Sequence, residues 1–255
     1  MRFLSIEEID RVAVVAIRRV EKKNALSMAL LEELGEAARG LSRRVDIHAV
    51  VLAGGGDFFT AGMDLADPEL ADFASLSLSE KRRVLSVAPD VCRAWEEMEP
   101  YTVCAIEGYC LGGGVSLAVS TDCRVMAESA VIRAPEIPYG MNMSWGTLPR
   151  LLHLVGPART KELILFAEDV DARTAYEWGF AQAVCPDGQA LSTALALAQK
   201  AARHPRHAVA MTKKTINALS TALDSLASHM DHDQFLLTLS DPETMQRILD
   251  FFGKK

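Results

Sequence analysis

Apolar residues along the chain alternate between two patterns. Residues 12–17 (VAVVAI) and 47–53 (IHAVVLA) are short, nearly continuous β-branched runs, as expected for strands covered on both faces. Between them Met28, Leu31, Leu34, Ala38 and Leu41 recur at helical spacing, and Ser27 stands where an N-cap hydroxyl accepts from the first turn. The reading is strand, helix, strand. It then repeats with an amphipathic stretch near 80–98, a strand at 102–106 (TVCAI), a Gly-rich turn into an apolar helix at 113–120, and a strand at 123–127 (CRVMA). Such alternation predicts an α/β core with parallel pairing. From about Ala190 the strands stop. Ala190, Leu191, Ala194, Leu195, Ala198 and Ala201 make one helical stripe, and two or three further helices follow to Phe252. Helices of this kind need a surface to pack on, either their own core or a neighbouring subunit.

Composition narrows the class. A chain of 255 residues with 49% apolar and 24% charged residues is ordinary globular material, long enough for one large domain or two small ones. It has no internal repeat, low-complexity tract or Gly/Ser/Pro linker. No apolar run approaches the roughly 20 residues that span a bilayer. The N-terminus carries acidic residues where a signal peptide needs a basic head, so a cytosolic protein is expected. The five cysteines, Cys92, Cys104, Cys110, Cys123 and Cys185, are odd in number and lack CxxC spacing, which predicts buried free thiols in a reducing compartment. A net charge of −7 argues against a nucleic-acid partner, which needs a basic face. It does not argue against a small anionic ligand held locally.

Three segments carry candidate chemistry. Residues 54–65 (GGGDFFTAGMDL) follow a predicted buried strand, and their small residues let backbone approach a ligand closely. Residues 107–116 (EGYCLGGGVS) also follow a strand and open a helix, whose unpaired N–H groups and positive dipole end favour negative charge. The spacing is neither the dinucleotide fingerprint GxGxxG nor a phosphate loop ending in Gly-Lys-Ser/Thr. That leaves an oxyanion site. In residues 133–140 (RAPEIPYG) the single carboxylate Glu136 sits among apolar residues and prolines, where desolvation would raise its pKa toward acid–base use. Each segment also fits a plainer reading: a simple strand-to-loop turn for the first, a solvated loop carboxylate for Glu136. His229 and His232 lack a third metal ligand, so no metal site is expected. Lys213 and Lys214 are expected as surface charges, and Ser120, Asp122 and the scattered histidines make no triad.

Taken in order, these segments resemble the enoyl-CoA hydratase/isomerase family, the crotonase superfamily. The resemblance runs from Lys22-Lys23-Asn24-Ala25-Leu26 through Phe59 to Asp64, Glu107-Gly108-Tyr109 with Gly112 to Gly114, Thr121-Asp122 and Ala134-Pro135-Glu136. It continues into Gly156-Pro157-Ala158-Arg159, Ala172 to Ala175 with Gly179, and Ser240-Asp241-Pro242-Glu243. It implies a spiral of ββα units over residues 1–195 and a helical region over 196–255 that builds homotrimers or homohexamers. It further implies an acyl-CoA substrate and no cofactor beyond the coenzyme A that the substrate carries. The thioester oxygen would lie between the backbone N–H groups of Met63 and Gly113. Coenzyme A would lie along Lys23, Ala25 and Leu26 and along Ala61, Asp64 and Leu65, with Phe251 and Lys254 as candidates for its adenine end.

One departure from the family pattern decides the expected reaction. Hydratases of this family use two glutamates, and Ser116 stands at the position of the first. A serine hydroxyl is a poor base at neutral pH, so Glu136 is left alone, with Ser116 a secondary catalytic candidate. One base suits double-bond isomerisation, in which a proton leaves C2 of a 3-enoyl-CoA and returns at C4. The alternatives are hydration by Glu136 alone or with an unidentified partner, decarboxylation or thioester hydrolysis through the same enolate, and a weakly catalytic acyl-CoA- or RNA-binding member. Met141-Asn142-Met143-Ser144-Trp145 replaces a small, Gly-rich stretch common in hydratases, which implies an altered acyl pocket.

Overall fold

The chain opens with a hairpin that the apolar pattern did not reveal. In the computed structural model, which describes residues 1–253, β1 (Leu4–Ile9) pairs antiparallel with β2 (Val12–Ile17) across a two-residue turn. Asp10 takes the left-handed φ of 55° there, a conformation that a short polar side chain tolerates. The strand-helix alternation follows as α1 (Met28–Ser42), β3 (Ala49–Gly54), α2 (Leu78–Glu96), β4 (Tyr101–Ile106), β5 (Tyr109–Leu111), α3 (Gly113–Val119) and β6 (Cys123–Ala127). After it come β7 (Val131–Arg133), α4 (Thr147–Lys161, broken at Gly156), β8 (Val170–Asp171), α5 (Ala172–Glu177), β9 (Ala183–Cys185) and α6 (Ala190–Ala202). The tail is α7 (Arg206–Ser220), α8 (Asp224–Ser228), α9 (Asp231–Leu239) and α10 (Pro242–Gly253), more helices than the periodicity suggested. Ser27 caps α1 as expected, its hydroxyl accepting from Leu30 N.

Two sheets result. The larger has the order β1-β2-β3-β4-β6-β9, parallel throughout except for the β1–β2 pair. The smaller has the order β5-β7-β8. The repeating unit is a long strand in the first sheet, a short strand in the second and a helix: β4-β5-α3, then β6-β7-α4. An earlier turn runs from β3 into α2, and its short strand is reduced to a bridge between Thr60 and Cys110 of β5. This is the expected spiral of ββα units.

Alternation along the parallel strands builds a core on each face of the larger sheet. Ala13, Val15, Ile17, Val50, Leu52, Cys104 and Ile106 pack toward α1, α2 and α3. Val12, Val14, Ala49, Val51, Val103 and Val125 pack toward α6 through Ala190, Ala194, Ala198 and Ala202. Four alanines at i, i+4 spacing bring the helix close to the sheet. The predicted stripe was too broad: Ala202 closes it instead of Ala201, and Leu191 is exposed. The expected boundary between residues 195 and 196 falls inside α6, so the helical tail leaves the sheet only after Ala202.

The cysteines are all free and buried, as expected. Lys213 corrects the surface reading. It is buried in α7, its ammonium 2.7 Å from the Asp122 carboxylate and 3.0 Å from Pro100 O. A carboxylate brought beneath a lysine from a distant part of the chain is not visible in helical spacing. Among the described residues no helix is long and apolar enough to cross a membrane, and no three His, Cys, Asp or Glu side chains are grouped to hold a metal.

One buried side chain holds the loops that precede the site. Asn24 is fully buried with φ of 52°; its amide nitrogen donates to Gly55 O at 2.8 Å and Phe58 O at 2.9 Å, and its Oδ1 accepts from Arg19 N at 3.1 Å. Replacement by alanine leaves these groups unpaired and puts a Cβ-only residue in a left-handed site. Asn24→Ala is expected to lower stability by about 3 kcal/mol, read as a lower midpoint in thermal or urea unfolding. An unchanged midpoint would show that the loops hold without it.

Candidate active site

Two backbone segments meet where β5 enters α3. Gly112 caps α3 with φ of 51° and ψ of −116° and offers no side-chain oxygen to the first turn. Its own N–H donates to Arg133 O, while Val115 N and Ser116 N both donate to Gly112 O. The Gly113 N–H at the helix start therefore has no acceptor among the described residues, and the dipole adds positive potential there.

Met63 lies on the opposing segment. Leu26 N donates to Gly62 O at 2.8 Å and Asp64 N donates to Leu26 O at 2.9 Å, so Leu26 pairs with the residues on either side of Met63. By the geometry of a parallel bridge, the Met63 N–H faces away from Leu26, and it too has no acceptor among the described residues. The segments touch: a Cβ on Gly62, whose φ is 84°, would come within 2.7 Å of Leu111 O and 3.6 Å of Gly113 N. Both N–H groups assigned through the resemblance are thus unpaired and on adjoining backbone.

Glu136 reaches the same place from the end of β7. Its Oε1 would lie 2.8 Å from a Cβ on Gly112, so the carboxyl rests directly against the α3 cap. Although the residue is half-buried overall, Oε2 is closed off and has no hydrogen-bond partner. Burial without a compensating cation pushes its pKa up to about 7, since desolvation penalises the charged form. A carboxyl that changes charge near neutrality can take a proton and return it.

Ser116 lies one turn further along α3 and is fully buried. Thr147 Oγ1 is 2.6 Å from both Ser116 Oγ and Ser144 O. A carbonyl only accepts, so the Thr147 proton goes to Ser144 and the Ser116 proton goes to Thr147. The serine ties α3 to the start of α4. It is not hydrogen-bonded to Glu136.

The expected coenzyme A residues form a ledge leading to Met63. Ala61 N donates to Lys23 O at 3.0 Å and Thr60 Oγ1 to Asn24 O at 2.7 Å, which continues the pairing at Leu26. Arg19, unremarked in the sequence, braces the ledge: its guanidinium contacts the Asp64 carboxylate at 2.7 Å and Ala25 O at 2.8 Å. Asp64 thus supports the ledge through an ion pair. Lys23 and Leu65 are exposed, with the Lys23 ammonium over the Phe58 ring. Lys254 lies outside the described residues and the Phe251 side chain outside the described side chains. A separate cavity lined by Val131, Glu162, Phe166, Asp169, Asp171 and Trp178 contains none of the site residues.

Trp145, read from the sequence only within the bulky stretch that implied an altered acyl pocket, lies against Gly113. Trp145 has φ of 63°, a left-handed conformation that costs a bulky residue about 1–2 kcal/mol. A Cβ on Gly113 would lie 2.5 Å from its Cη2 and Cζ3 atoms, so the indole sits on that glycine. The only sequence signal was the bulk of residues 141–145.

Known proteins share this arrangement of chain. The family profile described as "Enoyl-CoA hydratase/isomerase" matches residues 7–254. A short-chain-enoyl-CoA hydratase of Clostridium acetobutylicum is 30% identical over 213 residues, 83% of this chain and 80% of that protein. A crotonyl-CoA hydratase of Syntrophomonas wolfei is 28% identical over 252 residues, 98% of this chain and 95% of that protein. Among solved structures, an enoyl-CoA hydratase/isomerase from Pseudoalteromonas atlantica superposes with a TM-score of 0.87 at 26% identity, covering 99% of this chain and 98% of that one. With its ββα spiral and a match along nearly its whole length, the chain belongs to the enoyl-CoA hydratase/isomerase family of enzymes.

Proposed function

We propose that this enzyme isomerises the double bond of an enoyl-CoA, with Glu136 as the sole acid–base group. The carrying observation is the pairing of one carboxyl, whose Oε2 is buried without a hydrogen-bond partner, with a serine whose proton is already committed. A thioester carbonyl oxygen lies between the N–H groups of Met63 and Gly113, and ionised Glu136 takes a proton from C2 of a 3-enoyl-CoA. The electron pair left on C2 delocalises onto the thioester oxygen, where each preorganised N–H stabilises the charge by about 3–4 kcal/mol. Protonated Glu136 then delivers the proton to C4 while the double bond moves to C2–C3. The chemistry is proton transfer and needs no cofactor beyond the coenzyme A in the substrate.

A second reading, hydration of 2-enoyl-CoA, is favoured by the names of the relatives, both hydratases. It requires Glu136 to manage water alone. The exposed apolar residues Met211, Ile216, Leu219, Leu223 and Leu226 along α7 and α8 support assembly into a homotrimer or homohexamer, and the unpaired thiols support a cytoplasmic location.

Three outcomes test the assignment. Purified protein should convert 3-enoyl-CoA to 2-enoyl-CoA faster than it hydrates 2-enoyl-CoA in parallel spectrophotometric assays; faster hydration would sink the isomerase reading. Glu136→Gln should lower kcat/KM at least about a hundredfold, whereas Ser116→Ala should lower it less than about tenfold. Because the base works ionised, kcat/KM should fall as pH drops below an apparent pKa of about 7, and a rate flat down to pH ~5 would exclude Glu136 as that base.

A further inference from the structure

We propose that Trp145 is the specificity-determining wall of the acyl subsite, selecting short, flat acyl groups, and that Arg150, Glu96 and Asp231 are positioning residues that hold it there. The inference rests on the thioester placement given above. With the coenzyme A half along the ledge of Lys23–Leu26 and Ala61–Leu65, the acyl half leaves on the side of Glu136. Trp145 stands on that side, its benzo edge seated on Gly113. It packs on the main core yet stays partly exposed. An acyl group whose carbonyl is held at Gly113 N meets this ring at once. A conjugated or otherwise planar group can lie along the indole face; a long flexible chain must push past it.

The ring does not hold its place through local preference. Trp145 and Gly146 are successive left-handed residues, with φ of 63° and 67°; glycine takes that conformation freely, but the strain at Trp145 persists only when the surroundings over-determine it. Three elements do so. Arg150 Nη1 on α4 donates to Trp145 O and to Gly146 O, each at 3.0 Å. Its remaining donors form a two-pronged pair with Glu96 on α2, both contacts at 2.8 Å. From the tail, the buried Asp231 on α9 accepts from Gly146 N at 2.8 Å. These contacts clamp the two peptide groups of one corner, and their product is the position of a single indole.

Binding of unreactive saturated thioesters tests this apart from catalysis. Calorimetric Kd values for butyryl- and decanoyl-CoA are measured on the native protein and on Trp145→Ala. The native protein should bind decanoyl-CoA at least about tenfold more weakly than butyryl-CoA, and the variant should bring the two within about threefold or reverse them. Unchanged ratios would overturn the proposal. Failure of the native protein to bind either thioester would overturn the acyl-CoA reading itself. If Trp145→Ala does not fold, Trp145→Phe should give an intermediate ratio, and an unchanged ratio there would count equally against it. For the clamp, Asp231→Ala should shift the ratio in the same direction as Trp145→Ala, and Asp231→Asn, which keeps an acceptor for Gly146 N, should restore it. A lower Tm with the native ratio would assign Asp231 a structural role only.

Discussion

Two backbone N–H groups without acceptors, on Met63 and Gly113, are what the surrounding structure is arranged to keep. Folding normally pairs such groups, because an unpaired buried donor is costly. Each is withheld from pairing by a specific device. Gly113 is the first residue of α3, so its N–H has no carbonyl one turn back within the helix, and the glycine before it brings no side-chain oxygen near. At Met63 the partner strand residue Leu26 bonds only to its two neighbours. The Asn24 and Arg19 contacts then hold that strand-like ledge in place, so the donors are fixed before any ligand arrives.

Beside this positive region the carboxyl of Glu136 behaves differently from surface glutamates. It gains no cation, and one of its oxygens has no partner, so burial governs its proton affinity. The contrast with Ser116 is one of commitment. The serine is as buried as a core residue, and its hydroxyl belongs to the α3–α4 contact through Thr147. A group whose proton is held in packing cannot readily exchange it with substrate, which is why the proposed reaction runs through one base.

Much of this was legible in the chain. The β-branched runs that became β2, β3, β4 and β6, the Ser27 cap, and the glycine segments before Met63 and Gly113 all carry local signals that survive folding. What escaped was short or non-local. β5, β7 and β8 have two or three residues each, too few for a period, and exist because the spiral presents edges to them. Lys213 reads as a surface charge until Asp122 is brought beneath it by the β4–β6 pairing. Trp145 reads only as bulk, since its place over Gly113 depends on a left-handed corner that nothing in its own neighbourhood favours.

The helical tail illustrates how such non-local contacts divide labour. Besides the buried Leu236, its inward attachments include polar contacts: Lys213 to Asp122 and Pro100 O, Arg206 to Ile47 O and Ser42 O, Asn217 to Glu96 O, Asp231 to Gly146 N. Its large apolar side chains at Met211, Leu219, Leu226 and Leu237 face outward. Polar contacts of fixed geometry specify position better than they add stability, because the desolvation of each partner offsets much of the gain. A tail held in this way is placed relative to the sheet with angular precision but modest energy. The Glu96 that receives Asn217 through its carbonyl also grips Arg150 through its carboxylate, so the registration of α7 on α2 and the position of the indole over Gly113 share one residue.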